Sequence, residues 1–432
     1  MHSLAIVDSN YPRDPTVAGM AATWLRWELR RAGRAETDPA SAEILLCTVS
    51  SPQGVKDLQR CLRQIGNKTA RVILGGGGAY APAVFDPIIH AACVGEGPRF
   101  MRTLLTDGLE AATALPEVWV PNETRPVIPA RDFPWDLPPV NHPDGTVRLF
   151  ASRGCRFRCL FCQTGWENSY RPTPHPAVLA AQAQALVQSG RRVAIVTNDA
   201  AEKGMPRISG QAFMSARVDN LAALEPLSRQ FVKNIRFGVE GVSERLRRAV
   251  GKPILNDELL EMSAGLLARG IGVTWFFITG LPGEHDDDYL ELRYLVTRLK
   301  ALSKGCIMMV FHAFIPQPAT PLCVPALEDA YWEPFDEFRR WFFHGPGFTR
   351  RVQIMAPSKY PFRLRRAKES MAATEYDLRR GWWSRDNPNW RVQYLVAPDK
   401  LRSLAESYLS ALDRKQLKAK LEKTCAKKKA KR

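Results

Sequence analysis

Between residues 147 and 325 six short runs of β-branched or aromatic residues are interspersed with five stretches that carry apolar side chains at helical spacing. Strands are expected at 147–151, 193–196, 213–218, 234–239, 273–279 and 307–314, and helices at 176–189, 220–231, 243–249, 257–269 and 286–301. A chain that passes from strand to helix to strand re-enters its sheet in the same direction, so the strands must run parallel. Six such strands predict a partial (β/α)6 barrel with its chemistry at the carboxyl ends of the strands. Residues 1–115 show the same alternation on a smaller scale, with strands at 4–7, 42–48 and 70–74 and helices at 17–32 and 55–65, and form a separate parallel α/β domain. The third of these strands runs into Gly75-Gly76-Gly77-Gly78, where missing side chains let a backbone turn tightly or approach a ligand. Residues 116–146 carry Pro126, Pro129, Pro134, Pro138 and Pro139 and read as a linker, which leaves 147–345 for the barrel and 346–432 for a C-terminal module.

A chain that is 45% hydrophobic and 24% charged has enough apolar material for several cores. Its longer apolar runs, such as 273–281, stop well short of the ~20 residues a membrane span needs. The opening Met1-His2-Ser3-Leu4 lacks a basic leader, so the expected location is a cytoplasm. Nine cysteines, an odd number, argue for reduced thiols with a few recruited as ligands rather than for a disulfide framework.

Three cysteines are bunched. Gly154-Cys155-Arg156-Phe157-Arg158-Cys159-Leu160-Phe161-Cys162 gives the spacing C-x3-C-x2-C immediately after a predicted strand. Three thiolates on one tight loop suit three irons of a 4Fe-4S cluster and leave the fourth iron open to chelate a small molecule. The competing metal is zinc, with His175 as a fourth ligand, although zinc has no use for Phe161 ahead of the last cysteine.

This loop, including its aromatic residue, resembles the cluster loop of the radical SAM superfamily. Gly238-Val239-Glu240-Gly241-Val242-Ser243-Glu244-Arg245-Leu246 with Gly251-Lys252-Pro253 is similar to the fourth-strand pattern of its subgroup with an N-terminal cobalamin-binding or methylthiotransferase-type domain. Gly280-Leu281-Pro282-Gly283-Glu284 and Phe314-Ile315-Pro316-Gln317-Pro318 resemble that subgroup's fifth- and sixth-strand endings. The resemblance covers about 1–325 and implies a flavodoxin-like, cobalamin-binding-like first domain, through Leu74–Gly78 and Val94-Gly95-Glu96-Gly97. It implies a 4Fe-4S cluster on Cys155, Cys159 and Cys162 and S-adenosylmethionine, cleaved to methionine and a 5′-deoxyadenosyl radical. Thr197, Asn198 and Asp199 then fall where relatives hold the amino group of S-adenosylmethionine. Arg217 and Glu240 fall near its carboxylate or ribose, and Ile278 and Gly280 near its adenine. His312, Glu284 and Tyr289 sit near strand ends where protons move, but no catalytic side chain is singled out. The loop Asp8–Asp14 has no histidine, so histidine-ligated cobalamin is not expected; Cys47, Cys61 and Cys93 are too poorly placed for a second cluster.

Charge separates the two ends of the chain. Residues 346–432 hold 23 Lys and Arg against 8 Asp and Glu, a balance of +15 out of +17 for the whole. Basic residues interleaved with rings, as in Tyr360-Pro361-Phe362-Arg363-Leu364-Arg365-Arg366 and Arg379-Arg380-Gly381-Trp382-Trp383-Ser384-Arg385, suit phosphates and exposed bases. The alternative is a small core of rings with a solvated basic face. Residues 401–421 have helical spacing, and a lysine-rich end follows. The expected partners are a nucleic acid, DNA rather than RNA, bound through 346–432, and an electron donor such as flavodoxin or ferredoxin; a membrane is not expected. The whole arrangement resembles the radical SAM isomerases of bacteriophage thymidine hypermodification, which convert N-linked to C-linked glycinylthymidine and which would act in a host cytoplasm. Against this stand a cobalamin-dependent methyltransferase or tRNA methylthiotransferase, and, from another class, a nucleic-acid-binding protein with a structural cluster.

Overall fold

The computed structural model describes residues 2–9, 19–198 and 227–323 with short gaps, together with 214–218, 352–354, 391–392 and 397–412. Of the expected helix at 220–231 only Leu224, which is helical, and 227–230, which are not, are described; the aromatic and basic runs between 355 and 390 and the lysine-rich end lie outside the described residues.

In the first domain β1 (Leu4–Asp8), α1 (Met20–Arg31), β2 (Ile44–Thr48), α2 (Val55–Ile65), β3 (Arg71–Gly75), β4 (Ala91–Cys93), α3 (Pro98–Thr106), α4 (Leu109–Thr113) and β5 (Val118–Trp119) succeed one another. The sheet order is β1-β2-β3-β4-β5, with the first four parallel and β5 antiparallel to β4. Flavodoxin-like sheets run 2-1-3-4-5; here neighbours in sequence are neighbours in space. Strand residues are apolar at nearly every position because both faces are covered. Leu4, Ile6, Ile44 and Leu46 pack with Leu29, Phe100 and Met101 of α1 and α3, while Ala5, Val7, Leu45 and Cys47 pack with Leu58 and Cys61 of α2. The carboxyl ends of β1 to β4 therefore form one edge, and that edge faces the second domain.

There β6 (Val140–Asn141) pairs antiparallel with β7 (Thr146–Phe150), the first barrel strand. After β7 come β8 (Ser152–Arg153), α5 (Gln163–Glu167), β9 (Arg171–Pro172), α6 (Pro176–Gln188), β10 (Arg192–Val196), β11 (Met214–Ala216) and β12 (Asn234–Glu240). The chain continues through α7 (Glu244–Ala249), α8 (Asn256–Ala268), β13 (Gly272–Thr279), α9 (Asp286–Leu302), β14 (Ile307–Ala313), β15 (Val352–Ile354) and α10 (Pro398–Leu412). β7 pairs parallel with β10, and β11 through β15 form a second, all-parallel sheet. No ladder joins β10 to β11 among the described residues. The seventh parallel strand, β15, departs from expectation: it comes from the basic C-terminal stretch and extends the sheet beside β14. The wall is filled by Phe237, Trp275 and Phe277. The Trp275 indole donates to Ser263 Oγ of α8 at 3.0 Å, giving a buried ring a polar partner.

Arg247 of α7 has no exposed surface, and burial pushes its guanidinium down to about 10. It donates to the carbonyls of Ile254 (2.8 Å) and Gly241 (3.3 Å) and to Asn256 Oδ1, joining the turn after β12 to the start of α8. Arg247→Met leaves three buried acceptors unpaired, and the expected loss is about 3 kcal/mol. A lowered urea midpoint with unchanged slope is the result that checks it.

Candidate active site

The cysteine loop leaves the end of β7 and returns to it. β8 and β9 pair antiparallel, Ser152 with Pro172 and Arg153 with Arg171, so the chain from Gly154 to Tyr170 is a closed excursion at the strand's carboxyl end. Gly154 has φ +67, and a Cβ there would lie 2.3 Å from the Ser169 carbonyl, so the loop closes only on glycine. Within the loop, Cys162 N donates to Cys159 O (3.1 Å), Gly165 N to Cys162 O (3.2 Å) and Trp166 Nε1 to Cys159 O (2.9 Å). From outside, Leu160 N donates to Val250 O (3.0 Å) and Leu322 N to Leu160 O (3.2 Å). Cys159 and Cys162 are thus fixed by backbone hydrogen bonds before any metal is considered.

All three thiols are free, Cys159 buried and Cys155 and Cys162 half-buried. Burial pushes Cys159 up to about 11 and also raises Cys162, while Lys252 and Arg217 pull Cys159 the other way. Among the described residues no three His, Cys, Asp or Glu side chains are placed to share one metal ion. A tetrahedral zinc needs four ligands on one centre; a cluster takes one thiolate on each of three irons. The donor set fits the cluster, and His175, which stands exposed at the N-cap of α6, has no part in it.

The residues expected around S-adenosylmethionine are gathered at the same rim, some by direct contact. Thr197 Oγ1 lies 2.8 Å from Ser152 Oγ, and Asn198 Nδ2 donates to Gly154 O at 2.5 Å, so the end of β10 holds the base of the cysteine loop. Asp199 lies outside the described residues. Arg217, buried, stacks its guanidinium 3.8 Å over the Phe157 ring. Glu240 sits at a bulge of β12 with φ +69, and its carboxylate accepts from Lys252 Nζ at 3.0 Å. Ile278 is half-buried near the end of β13, and Gly280 donates its N–H to Glu284 Oε1 at 2.8 Å. Lys252 and Phe157 were missed as site residues. Both stand inside the quoted motifs, but only folding shows that one pairs with Glu240 and the other carries Arg217.

Glu284 closes the loop after β13 from beneath: besides Gly280 N–H it takes the Tyr289 hydroxyl, and burial pushes its carboxyl up to about 7. The pair latches the loop. His312 stacks on Phe276 with ring centroids 5.9 Å apart.

Between the carboxyl edge of the first sheet and the cysteine loop lies a cavity of about 670 Å³, bordered by Thr48, Gly75, Glu96, Phe133, Arg153 and Glu167. Gly75, Gly76 and Gly77 all line this cavity, and a Cβ on Gly75 would meet nothing within 4 Å. A Cβ on Gly76 would meet Val49 O at 2.6 Å and one on Gly77 would meet Ser50 O at 2.3 Å, so these glycines pack β3's loop against β2's. Across the cavity mouth Arg153 pairs with Glu96 at 2.8 Å and Gln163 Nε2 donates to Gly77 O at 3.1 Å, tying the two domains together.

Gly154→Ala should leave the first domain folded but prevent loop closure. Anaerobic reconstitution should then incorporate less than about half the wild-type iron, because a backbone clash cannot be relieved by a rotamer. For Glu284 the folded carboxyl binds its proton more tightly than the unfolded one does. Its stabilising contribution is present at low pH and is lost as pH rises through about 7. The melting temperature of wild type should fall between mildly acidic and mildly alkaline pH more steeply than that of Glu284→Gln.

The chain is similar to known proteins in sequence and in fold. The ribosomal protein uS12 methylthiotransferase RimO of Desulforudis audaxviator (strain MP104C) is 22% identical over 334 residues, 68% of this chain and 70% of that one. The radical S-adenosylmethionine methyltransferase TsrM of Kitasatospora setae, in a structure with cobalamin and a 4Fe-4S cluster bound, matches with TM-score 0.53 at 16% identity over 75% of this chain and 77% of its own. The same enzyme with tryptophan substrate and the SAM analogue aza-SAM matches equally, with TM-score 0.53 at 16% identity over 76% of each chain. At that identity the likeness is one of fold. Residues 149–295, from β7 into α9, match the family described as Radical SAM superfamily, and the chain therefore carries a radical SAM domain.

Proposed function

We propose that this protein is a radical SAM enzyme that modifies a base in DNA, most specifically by isomerising N-linked glycinylthymidine to its C-linked form in phage DNA hypermodification. The observation that carries the nucleic-acid part is where the basic segment attaches. Residues 346–432 hold +15 of the chain's +17, and α10 within them lies against the barrel's carboxyl rim. The Tyr408 hydroxyl of α10 donates to Pro282 O at 2.6 Å in the loop after β13. The lysines and arginines of 346–432 are proposed to hold the phosphates of the substrate strand. Reaching the strand ends requires the base to leave its stack, at a cost of a few kcal/mol offset by phosphate and ring contacts.

The roles proposed for this chain's residues are those that the resemblance implies. Cys155, Cys159 and Cys162 hold the cluster. When bound, the cluster supplies the electron that cleaves S-adenosylmethionine to methionine and a 5′-deoxyadenosyl radical. Thr197, Asn198 and Asp199 orient the amino group of S-adenosylmethionine, Arg217 and Glu240 its carboxylate or ribose, and Ile278 and Gly280 its adenine. Lys252 holds the Glu240 carboxylate in place at 3.0 Å. In the isomerisation a hydrogen atom leaves the glycine α-carbon, the carbon–nitrogen bond to the thymine methylene breaks, a carbon–carbon bond forms, and a hydrogen atom is returned. Reactant and product have equal mass. A flavodoxin or ferredoxin is the electron donor proposed, in the cytoplasm of a host.

The cavity favours a second reading, methyl transfer with cobalamin. It lies at the carboxyl edge of a parallel α/β sheet, the side on which such sheets take ligands, and the TsrM fold match is to a protein with cobalamin bound. Its walls also carry buried polar atoms without partners, which a ligand with peripheral amides satisfies.

The test is anaerobic reconstitution with iron, sulfide and S-adenosylmethionine, followed by mass spectrometry of nucleosides from DNA carrying glycinylthymidine. A product of unchanged mass and altered fragmentation is the expected outcome. Gain of the mass of one methylene moves the assignment to methyl transfer. 5′-Deoxyadenosine formed with unaltered DNA retains the enzyme class and removes this substrate.

A further inference from the structure

The cavity has an uneven polar lining. On the side of the first domain, Trp24 Nε1 and Thr48 Oγ1 are out of solvent and have no hydrogen-bond partner; on the side of the cysteine loop the same holds for Glu167 Oε1 and Asn168 Oδ1. An unpaired buried polar atom costs about 1–3 kcal/mol. Four of them around one cavity point to a ligand that pairs them.

The two on the loop side belong to consecutive residues with opposite hydrogen-bonding character. Asn168 is buried, and its Nδ2 donates to the Tyr80 hydroxyl at 3.4 Å, so the amide is oriented and its Oδ1 is left as an acceptor. Glu167 ends α5, five residues after Cys162, and its carboxyl is hydrogen-bonded to the side chain of Gln163. The nearest cation does not neutralise it. Arg153 gives Nε and Nη2 to Glu96 Oε1 at 2.9 and 2.8 Å, and Arg171 leans on the same carboxylate at 3.8 Å. Burial, with Glu96 nearby, pushes Glu167 up to about 8 despite Arg153, so at neutral pH the carboxyl carries a proton. Its hydroxyl is a donor and the neighbouring amide oxygen an acceptor. A donor beside an acceptor is the complement of a primary carboxamide, whose oxygen accepts while its NH2 donates.

We propose that Glu167 and Asn168 form a two-point site for a primary carboxamide of the ligand in this cavity, Glu167 donating and Asn168 accepting. The proposal rests on the reading that the cavity takes a corrinoid, a flat apolar ring edged by such amides. Trp24 and Thr48 meet the opposite edge. Because Glu167 follows Cys162 by little more than a turn of helix, the pair also sets how the ring sits relative to the cluster loop.

The experiment is a titration of the cluster-reconstituted protein with hydroxocobalamin, followed by visible absorption. Each of Glu167→Ala and Asn168→Ala should weaken binding about tenfold, the loss of about one buried hydrogen bond. Glu167→Gln keeps a neutral donor at the same reach and should bind within about threefold of wild type, which a purely structural or anionic role for Glu167 does not predict. Thermal melts without hydroxocobalamin, run on all variants, identify any loss due to unfolding, and the glutamine variant then decides. Wild-type binding with both alanine variants unchanged, or with Glu167→Gln as weak as Glu167→Ala, overturns the carboxamide site and leaves the corrinoid reading intact. Failure of the wild type to bind hydroxocobalamin overturns both.

Discussion

The middle of the cysteine loop is held by two backbone hydrogen bonds, and the candidate site depends on them. Leu160 gives its N–H to Val250, at the end of α7, and receives at its carbonyl the N–H of Leu322, beyond β14. One residue between two cysteines is thereby tied to two other βα units of the barrel. A C-x3-C-x2-C segment attached only to β7 would be free to point its thiols anywhere. Bound in this way, Cys159 comes within the electrostatic reach of Arg217 just past β11, Glu240 at the end of β12 and Lys252 after α7. Parallel strands make this possible, since they deliver all their carboxyl ends to one side.

Charge at the rim is arranged around what a cluster needs. Thiolates and a reduced cluster are anionic and have to be compensated in a partly buried place. Lys252 and Arg217 are buried cations whose own hydration has been replaced, one by the Glu240 carboxylate and the other by the face of Phe157. The bulge and left-handed backbone at Glu240 put that carboxylate within reach of Lys252. Strain of this sort persists where surrounding contacts over-determine it, and here the contacts are those of the site itself.

Among the described residues the first domain is coupled to the barrel by polar links at a shared cavity. Glu96 takes Arg153 and Arg171 from the two short strands that close the cysteine loop. Arg391, from the C-terminal stretch, lies 4.8 Å over Trp119 and donates to Val120 O, and Val392 pairs with Val127 of the linker. The same C-terminal stretch supplies β15 to the barrel sheet and α10 to its rim. One segment therefore touches both domains, and any partner gripping it acts on a piece already joined to each.

Much of this was legible in the residues, for local reasons. The expected strands lie within two residues of the observed ones, and α2 begins and ends as expected, because buried parallel strands are short continuous apolar runs and helices carry their own periodicity and stops. The cysteine triad was legible because its ligands are neighbours in sequence. By contrast β15 is three residues in a basic, aromatic stretch and takes its identity only from the neighbouring edge of β14. The glycine run after β3 looked equally suited to a ligand or a close turn, and the fold uses it both for the approach of Val49 and Ser50 and as cavity wall. Nothing in the spacing marked Glu167, since a carboxyl's character depends on which cation its neighbours have already taken. Periodicity and short-range spacing were enough for the parallel α/β architecture and the three thiols. The strand order, the Glu240–Lys252 pair, the cavity and the unpaired atoms in its wall had to await the fold, because each belongs to groups that are distant in the chain and meet only when it is folded.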